Sequence, residues 1–165
     1  MRFISRMLIG SSLVAAAVAA PAGAVNVSFI NPDSYWDAGS TSWDEAANLK
    51  MLSSHLQKLG QRWLPADQVL WVEVLQVDLA GSVMRFHGNT SVRVMQGGAD
   101  FARIQLRYSL QAGGKPIANG EEWLSDLDST HGIASRGDSE PLYYEKRMLS
   151  AWFKARFVDA IAAPG

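Results

Sequence analysis

Hydrophobic and polar residues follow two different periods along this chain, and each period predicts a different kind of element. Residues 101–110 alternate strictly, with Ala102, Ile104 and Leu106 on one side and polar residues between them, which predicts a half-buried antiparallel strand. Residues 69–80 are largely apolar at both sets of alternate positions, which predicts a central strand covered on both faces along part of its length. Residues 25–30 alternate more briefly and predict a short strand.

Residues 42–64 show the helical period instead. Ser42 and Glu45 match a capping box at the helix start, and Leu64 with Pro65 ends the pattern. His55 lies at the border of the apolar seam, so we interpret it as a boundary residue rather than a metal ligand. The seam itself has three- and four-residue spacing and consists of Leu49, Leu52, Leu56, Leu59 and Trp63.

Residues 141–157 form the second helical pattern, which is rich in aromatic residues and predicts a helix packed against a sheet. Its stripe contains Leu142, Leu149, Trp152, Phe153 and Ala160, with Met148 and Phe157 on the flanks. Glu145 and Arg156 break the stripe and, at eleven residues apart, stand ~16 Å from each other along a helix, too far to pair. One interpretation is that both side chains lie at the edge of the packed face and reach water or an opposite charge. The alternative, for Glu145 alone, is that it occupies a partly buried polar pocket.

The remaining segments complete an α+β fold. Residues 82–89 lack a period and predict a loop or ragged edge, whereas residues 91–96 and 116–127 predict strands. Residues 112–115 predict a hairpin turn, and residues 130–140 a polar connector. The order β-α-β-β-β-β-α predicts a two-layer sandwich: a mainly antiparallel sheet of about five strands with both helices on one face.

The first 24 residues have the pattern of a cleaved secretory signal peptide. Arg2 and Arg6 precede an apolar run from residue 7 to residue 20, and small residues 22–24 provide a cleavage site, so we expect the mature chain to begin at Val25. The chain has no Cys, which excludes a lipoprotein signal, and no second long apolar run follows. The sequence therefore predicts a periplasmic protein made of one α+β domain, residues 25–165, with no integral membrane segment after signal cleavage.

Charge and motif content exclude several classes of function. Without Arg2 and Arg6, 13 basic residues remain against 16 acidic ones, a formal charge of −3 that argues against a general nucleic-acid binder. The three histidines are more than thirty residues apart and no Cys assists them, so a zinc site has little support. Neither a nucleophile elbow nor a phosphate-binding or dinucleotide-binding glycine pattern occurs, and we predict no cofactor and no metal.

Asp126, Asp128 and Thr130 match the Asp-x-Asp-x-Thr signature of haloacid-dehalogenase-type phosphatases, but their context rejects that chemistry. The signature needs a whole α/β domain after it, and only 35 residues follow Thr130. The run also fails as an EF-hand loop, because His131 stands where the turn needs Gly and no Glu closes the loop at Gly137.

Three arginines form a candidate binding face. Arg93, Arg103 and Arg107 are expected on the solvated side of the sheet, where they could form a cationic stripe for an anionic ligand or an acidic partner. The alternative is ordinary cross-strand pairing with glutamates, since exposed sheet faces commonly carry such mixtures. The candidate partners are Glu73, Glu121 and Glu122.

Several segments together resemble a known family. They are residues 25–33, 77–81 and 120–126, and residues 144–149 with Trp152 and Phe153. In these segments the chain resembles the secreted bacterial family catalogued as domain of unknown function 3016, over nearly the whole mature chain. The resemblance implies export, a periplasmic setting and a single domain, supplies no catalytic residue, and marks Asp78, Glu121, Asp126 and Glu145 as motif members.

These observations leave three hypotheses of function. The leading one is a binding or interaction module of the bacterial envelope, whose partner is an envelope protein or a small ligand. The second is a small periplasmic hydrolase that uses carboxylates such as Asp78 and Glu145, which must then lie close enough to share a substrate. The third is a structural envelope component that associates with itself.

Overall fold

The strands of the computed structural model form one four-stranded sheet and one separate two-stranded ribbon. The structure describes residues 23–86, 90–94, 100–125 and 140–159. In chain order the elements are β1 (Ala24–Phe29), a short 3₁₀ turn (Pro32–Ser34), α1 (Ser42–Trp63), β2 (Gln68–Asp78), β3 (Ser82–Phe86), β4 (Thr90–Val94), β5 (Arg103–Ala112), β6 (Lys115–Ser125), α2 (Tyr143–Lys154) and a π-helical turn (Ala155–Asp159).

The four-stranded sheet has the order β1-β2-β5-β6. β1 runs parallel to β2, and α1 supplies the crossover connection that a parallel pair requires. β2 pairs with β5, and β5 with β6, in antiparallel register; Gly113 and Gly114, both at positive φ, form the β5–β6 turn. The predicted fold class is thereby confirmed: a mainly antiparallel α+β sheet with two helices.

One face of this sheet forms the core together with both helices. Alternate residues of β2 and β5 are almost fully buried, including Leu70, Val72, Ile104 and Leu106. They share a single apolar cluster with the inward residues of α1 and α2. An edge-to-face aromatic group closes the α2 side, formed by Tyr108, Trp152, Phe153 and Phe157.

The N-cap residue of α1 is Thr41 rather than the predicted Ser42, and Ser42 is the first helical residue. The Thr41 hydroxyl accepts a hydrogen bond from the backbone N–H of Asp44 at 3.1 Å, which satisfies one of the free amides at the helix start. The predicted seam is buried at Leu49, Leu52 and Leu56. No helix among the described residues combines the length and the apolar character needed to cross a membrane.

α2 is shorter than the sequence pattern predicts. Leu142 adopts a left-handed backbone conformation (φ 56°) and is the N-cap, so its carbonyl accepts the first helical hydrogen bond, from Lys146 N–H at 2.9 Å, and the helix itself starts at Tyr143. The last turn widens into a π-helix over Ala155–Asp159, which keeps Phe157 buried. Ala160, the last predicted member of the stripe, lies outside the described residues.

The segment after β2 contradicts the predicted loop. β3 pairs with β4 as an antiparallel ribbon, with Ser82 opposite Val94, and this ribbon is separate from the main sheet. Gly81 lies at positive φ (77°) between β2 and β3, a conformation that glycine adopts at no steric cost. Among the described residues β3 pairs with β4 and not with a strand of the main sheet.

Candidate functional site

The sheet surface opposite the helices is not covered by any helix or strand that the structure describes. We call it the open face and define it by the outward residues of three strands. Two large aromatic side chains are among them, Trp71 at 49% exposure and Trp123 at 52%. The open face consists of Trp71 and Glu73 of β2, Gln105 and Arg107 of β5, and Glu121 and Trp123 of β6.

An ion-paired row crosses the middle of the open face. Glu73, Arg107 and Glu121 lie opposite one another on three neighbouring strands, so the register places the cation between two carboxylates. Arg107 donates to Glu73 at 3.0 Å and to Glu121 at 3.0 and 3.1 Å. Glu121 first and Glu73 second raise the pKa of Arg107 above its ordinary value, by hydrogen bonding and by charge. Gln105 also donates to Glu121, at 2.9 Å.

A stack of planar groups forms one end of the open face. Trp36 lies against Trp123 with ring centroids 5.5 Å apart and planes 22° from parallel, and Trp36 is 60% exposed. The guanidinium of Arg103 covers the Trp36 ring at 5.2 Å and donates to Asp78 through Nε at 2.9 Å. These contacts make a broad, rigid aromatic platform at this end.

The loop that carries Trp36 is fixed to the end of β2. The Tyr35 hydroxyl donates to the carbonyl of Val74 at 2.8 Å, and burial raises the pKa of Tyr35 to about 12. The backbone N–H of Trp36 donates to the side-chain oxygen of Gln76 at 2.7 Å. The position of the platform therefore depends on the local shape of β2 at residues 74–76.

A depression of about 500 Å³ adjoins the other end of the open face, next to Trp71. Polar side chains of β1, β5 and β6 line it, and those that bear on binding are Ser28, Ser109 and Asn119. Trp71 is opposite Ser109 and Trp123 opposite Gln105, so the two rings are offset by four residues and two strand spacings, ~16 Å apart at the Cα atoms. The ion-paired row lies between the two rings.

Of the three predicted arginines, Arg103 and Arg107 lie at this surface and Arg93 does not. Arg93 extends from β4 past the end of β2, where it donates to both carboxylate oxygens of Asp37 at 2.8 and 2.9 Å and to the carbonyl of Gly81 at 2.8 Å. The set is not one cationic stripe, because each of these arginines is paired with a carboxylate.

The carboxylates marked by the sequence lie in different places. Glu145 is 2% exposed and accepts the backbone N–H of Ala80 at 2.7 Å, inside the helix layer. Asp78 lies opposite Arg103 and pairs with it, on the other side of β2 from the buried Val77. Glu145 is thus held by a buried hydrogen bond in the helix layer, whereas Asp78 is held in an ion pair with Arg103. Asp126 lies outside the described residues.

Arg156 borders a groove between β6 and α2. It pairs with Glu122 at 3.0 Å, and this neighbour raises the pKa of Arg156 above its ordinary value. The groove measures about 930 Å³, and Met148 and Trp152 contribute its apolar wall. The Trp152 indole N–H is buried there without a hydrogen-bond partner. Trp123 also lines this groove, which therefore borders the open face along β6.

His55 forms a hydrogen-bonded contact that superficially resembles a catalytic pair. Its Nε2 lies 2.8 Å from the hydroxyl of Ser150, but that hydroxyl donates its proton to the carbonyl of Lys146 at 2.7 Å. Nε2 must then be the donor to Ser150 and cannot act as its base. The pair joins α1 to α2; His87 and His131 lie outside the described residues.

In the part of the chain that the structure describes, no three His, Asp or Glu side chains gather closely enough to hold a metal ion. The family model described as "Protein of unknown function (DUF3016)" matches residues 23–155. The chain belongs to this family. No curated protein and no solved structure matches it significantly. The matched residues of this DUF3016 domain include both helices and all six strands.

Sequence reasoning did not identify the three tryptophans of this DUF3016 site. The apolar pattern of residues 69–80 instead predicts that Trp71 belongs to a strand covered on both faces. A usable signal was present, because Trp71 and Trp123 each lie two residues from a glutamate, Glu73 and Glu121. Positions two apart share one face of a strand, so a Trp that alternates with a charged residue indicates an exposed ring.

Proposed function

We propose that this protein is a binding module of the bacterial envelope and that the open face is its binding surface. The observation that carries the proposal is the pair of exposed rings, Trp71 and Trp123, on either side of a fixed ionic row. Tryptophan and arginine are the residues most enriched at binding hot spots. Large exposed aromatic groups held in a rigid arrangement are a recurrent mark of an interaction surface.

The arrangement supports binding rather than catalysis. Arg107 holds Glu73 and Glu121 as exposed ion pairs, and Arg103 holds Asp78 in the same way. Carboxylates engaged in this way can accept further hydrogen bonds from a ligand. A surface of this kind recognises a ligand through stacking and hydrogen bonding.

The proposed export rests on the sequence of residues 1–24, and the contacts of Gly23 and Ala24 bear on where the signal peptide is cleaved. The backbone N–H of Gly23 donates to the carbonyl of Leu64 at 3.1 Å, and Ala24 begins β1 opposite Val69. Cleavage before Val25 would remove both contacts. We therefore place the cleavage after Ala22, which the small residues Ala20 and Ala22 allow. Intact mass of the exported chain distinguishes a Gly23 from a Val25 start.

The decisive experiment compares binding to envelope fractions by open-face and control variants. The exported form is mixed with insoluble cell-wall, membrane and soluble periplasmic fractions, and the bound share is measured. Trp71→Ala and Trp123→Ala are each expected to weaken binding at least tenfold. Trp43→Ala is the matched control, since Trp43 lies on α1 and is 83% exposed. If the open-face variants bind as well as the wild type, the proposal is wrong.

The wild type and the same variants also test whether the protein associates with itself. Sedimentation velocity over a range of concentrations reports whether the wild type forms dimers or larger species. If it does, and Trp71→Ala abolishes them, the open face joins copies of this chain, and the structural-component hypothesis replaces the binding module. A wild type that remains monomeric excludes that hypothesis over the concentrations used.

A further inference from the structure

The charged groups at the open face are two arginines and three carboxylates, which leave a formal charge of −1, and all five are held in ion pairs. Arg107 lies between Glu73 and Glu121, and Arg103 is paired with Asp78. An anionic ligand would have to compete with carboxylates that are already bound to these guanidinium groups, and a cationic ligand would have to displace an arginine from those carboxylates. Complementarity of charge therefore favours an uncharged ligand rich in hydrogen-bonding groups.

The size of the open face favours an extended chain over a globular partner. Four strands at ~4.8 Å spacing and about ten residues at ~3.3 Å rise give a surface of roughly 600 Å². A stable protein–protein interface buries about 800 Å² on each partner. A flat, extended chain that crosses the sheet diagonally needs only the strip between Trp71 and Trp123, ~16 Å at the Cα atoms.

The chemistry of that strip matches a sugar chain. The face of an aromatic ring is electron-rich and attracts the polarised C–H groups on the flat side of a pyranose. The carboxylates of Glu73 and Glu121, fixed by Arg107, can accept hydrogen bonds from sugar hydroxyls. Beside Trp71, Asn119 and Ser109 line the depression of about 500 Å³ and offer both donors and acceptors, as an acetamido group requires.

We propose that the open face binds an uncharged, extended glycan strand of β-1,4-linked N-acetylated amino sugars, with Trp71 and the Trp36–Trp123 stack as its two stacking platforms. The inference rests on the proposed function, which places the protein in an envelope that contains a glycan backbone of this linkage. A β-1,4 linkage keeps successive rings in a flat ribbon, which suits platforms on one sheet face. An α-1,4-linked chain curves and would lose one of the two platforms.

The test uses isothermal titration calorimetry of the exported form with chitotetraose, the β-1,4-linked tetramer of N-acetylglucosamine. We expect saturable binding of chitotetraose, weakened at least tenfold by Trp71→Ala and by Trp123→Ala. Trp71→Phe, which keeps a ring, and the remote Trp43→Ala are expected to bind within about threefold of the wild type. Maltotetraose, which is α-1,4-linked, is expected to bind at least tenfold more weakly. Both open-face variants remove mainly exposed rings, so they retain the fold, and urea denaturation confirms it.

The outcomes separate this inference from the proposed function. If the wild type gives no heat with chitotetraose while the open-face variants still lose binding to envelope fractions, the glycan inference is wrong and the binding module remains. If chitotetraose binds equally well to wild type, Trp71→Ala and Trp123→Ala, the glycan does not use the open face and the inference is also wrong. Equal affinity for maltotetraose would overturn the requirement for an extended ribbon.

Discussion

At the residue scale, Glu145 is the most deeply buried charged side chain among the described residues. It lies in the first turn of α2, where a negative charge is favoured by the helix dipole, yet it is 2% exposed. Its carboxylate accepts the N–H of Ala80 at the point where the chain leaves β2 and turns toward β3. The side chain thus connects the helix layer to the end of a central strand.

Removal of the Glu145 carboxylate is expected to destabilise the fold without affecting the open face. Glu145→Ala leaves a buried N–H unpaired, which costs about 1–3 kcal/mol of unfolding free energy. Glu145→Gln keeps an oxygen acceptor, so its stability should lie between those of the wild type and Glu145→Ala. Urea denaturation measures both, and chitotetraose binding should be unchanged in each variant while it is folded. A Glu145→Ala protein of normal stability that has lost binding would instead identify Glu145 as a site residue.

His55 gives the stability a dependence on pH. Its pKa is lowered from the ordinary value of 6.5, mainly by burial, with the neighbouring Lys146 and Lys58 charges acting in the same direction and Glu140 against them. The unfolded chain therefore takes up a proton at higher pH than the folded chain does. Stability is complete above about pH 7 and falls as the pH drops through 6.5 toward the lowered pKa.

The matching prediction concerns His55→Gln, which keeps a donor toward Ser150 but does not titrate. The loss of unfolding free energy between pH 7 and pH 5 should be smaller in this variant than in the wild type. His87, His131 and the carboxylates are present in both proteins, so the difference between the two curves reports His55 alone. Parallel curves for the two proteins would show that burial does not shift this histidine.

At the element scale, one irregularity of β2 decides which residues reach the open face. A β-bulge between Val74 and Gln76 shifts the register against β5, so Val77 lies on the core side together with Val72 and Val74. If β2 alternated without a bulge, Val77 would lie on the same face as Trp71, and Asp78 on the same face as Val72. The sequence thus predicts that this segment is a central strand but not where it changes phase, because a bulge depends on pairing with a strand thirty residues away.

The elements with the strongest local signals were predicted well. The strict alternation of residues 101–110 and the leucine seam of α1 identify β5 and α1 within two residues, because each buries only one side. The ribbon of β3 and β4 was not fully predicted, since residues 82–86 show no clear period and pair outside the main sheet. The left-handed Leu142 was also missed, as a leucine rarely adopts that conformation.

The packing of α1 on β1 depends on a glycine. A Cβ added at Gly60 would overlap Cγ2 of Val25, so the helix approaches the strand as closely as it does only because residue 60 has no side chain. Gly60→Ala should lower the unfolding free energy, because overpacking costs about 1–3 kcal/mol. The gain in helix propensity offsets about 1 kcal/mol of this cost.

A double-mutant cycle with Val25→Ala checks the cause of that effect. Val25→Ala removes the methyl groups that the new Cβ would meet, so in this background Gly60→Ala should be neutral or stabilising. Urea denaturation of the four proteins gives the interaction free energy. If Gly60→Ala costs the same in both backgrounds, the close contact with Val25 is not the reason for the glycine.

At the scale of the whole molecule, the two layers place α1 and α2 on one side of the sheet and leave an aromatic surface on the other. The sequence predicted the layers and a solvated sheet face, because they follow from hydrophobic period and element order. It could not predict the site, since Trp36 reaches Trp123 from a loop more than eighty residues earlier in the chain. That meeting depends on the end of β2, to which the loop is hydrogen-bonded through Tyr35 and Gln76.

Arg93 connects the β3–β4 ribbon to this body, and removal of its side chain should loosen the ribbon before the rest. Arg93 binds Asp37 with two hydrogen bonds and also reaches the carbonyl of Gly81, so it joins the ribbon to the loop that carries Trp36. Arg93→Ala leaves these acceptors without their donor, and hydrogen exchange of the β3 and β4 amides should become about tenfold faster, equivalent to ~1.4 kcal/mol of local stability. Amides of β2 and β5 should exchange at nearly their original rates.

Arg93→Lys is the matched variant, because it keeps the charge but cannot make the bidentate contact with Asp37. It should therefore give an intermediate increase in ribbon exchange, whereas a purely electrostatic attachment would leave the lysine protein like the wild type. Since Asp37 follows Trp36 directly, the same variants should also weaken chitotetraose binding slightly, through the position of the platform rather than through a lost contact. Equal acceleration of exchange in the ribbon and in β2 would show that Arg93 stabilises the whole fold, and the ribbon would then be an integral part of it.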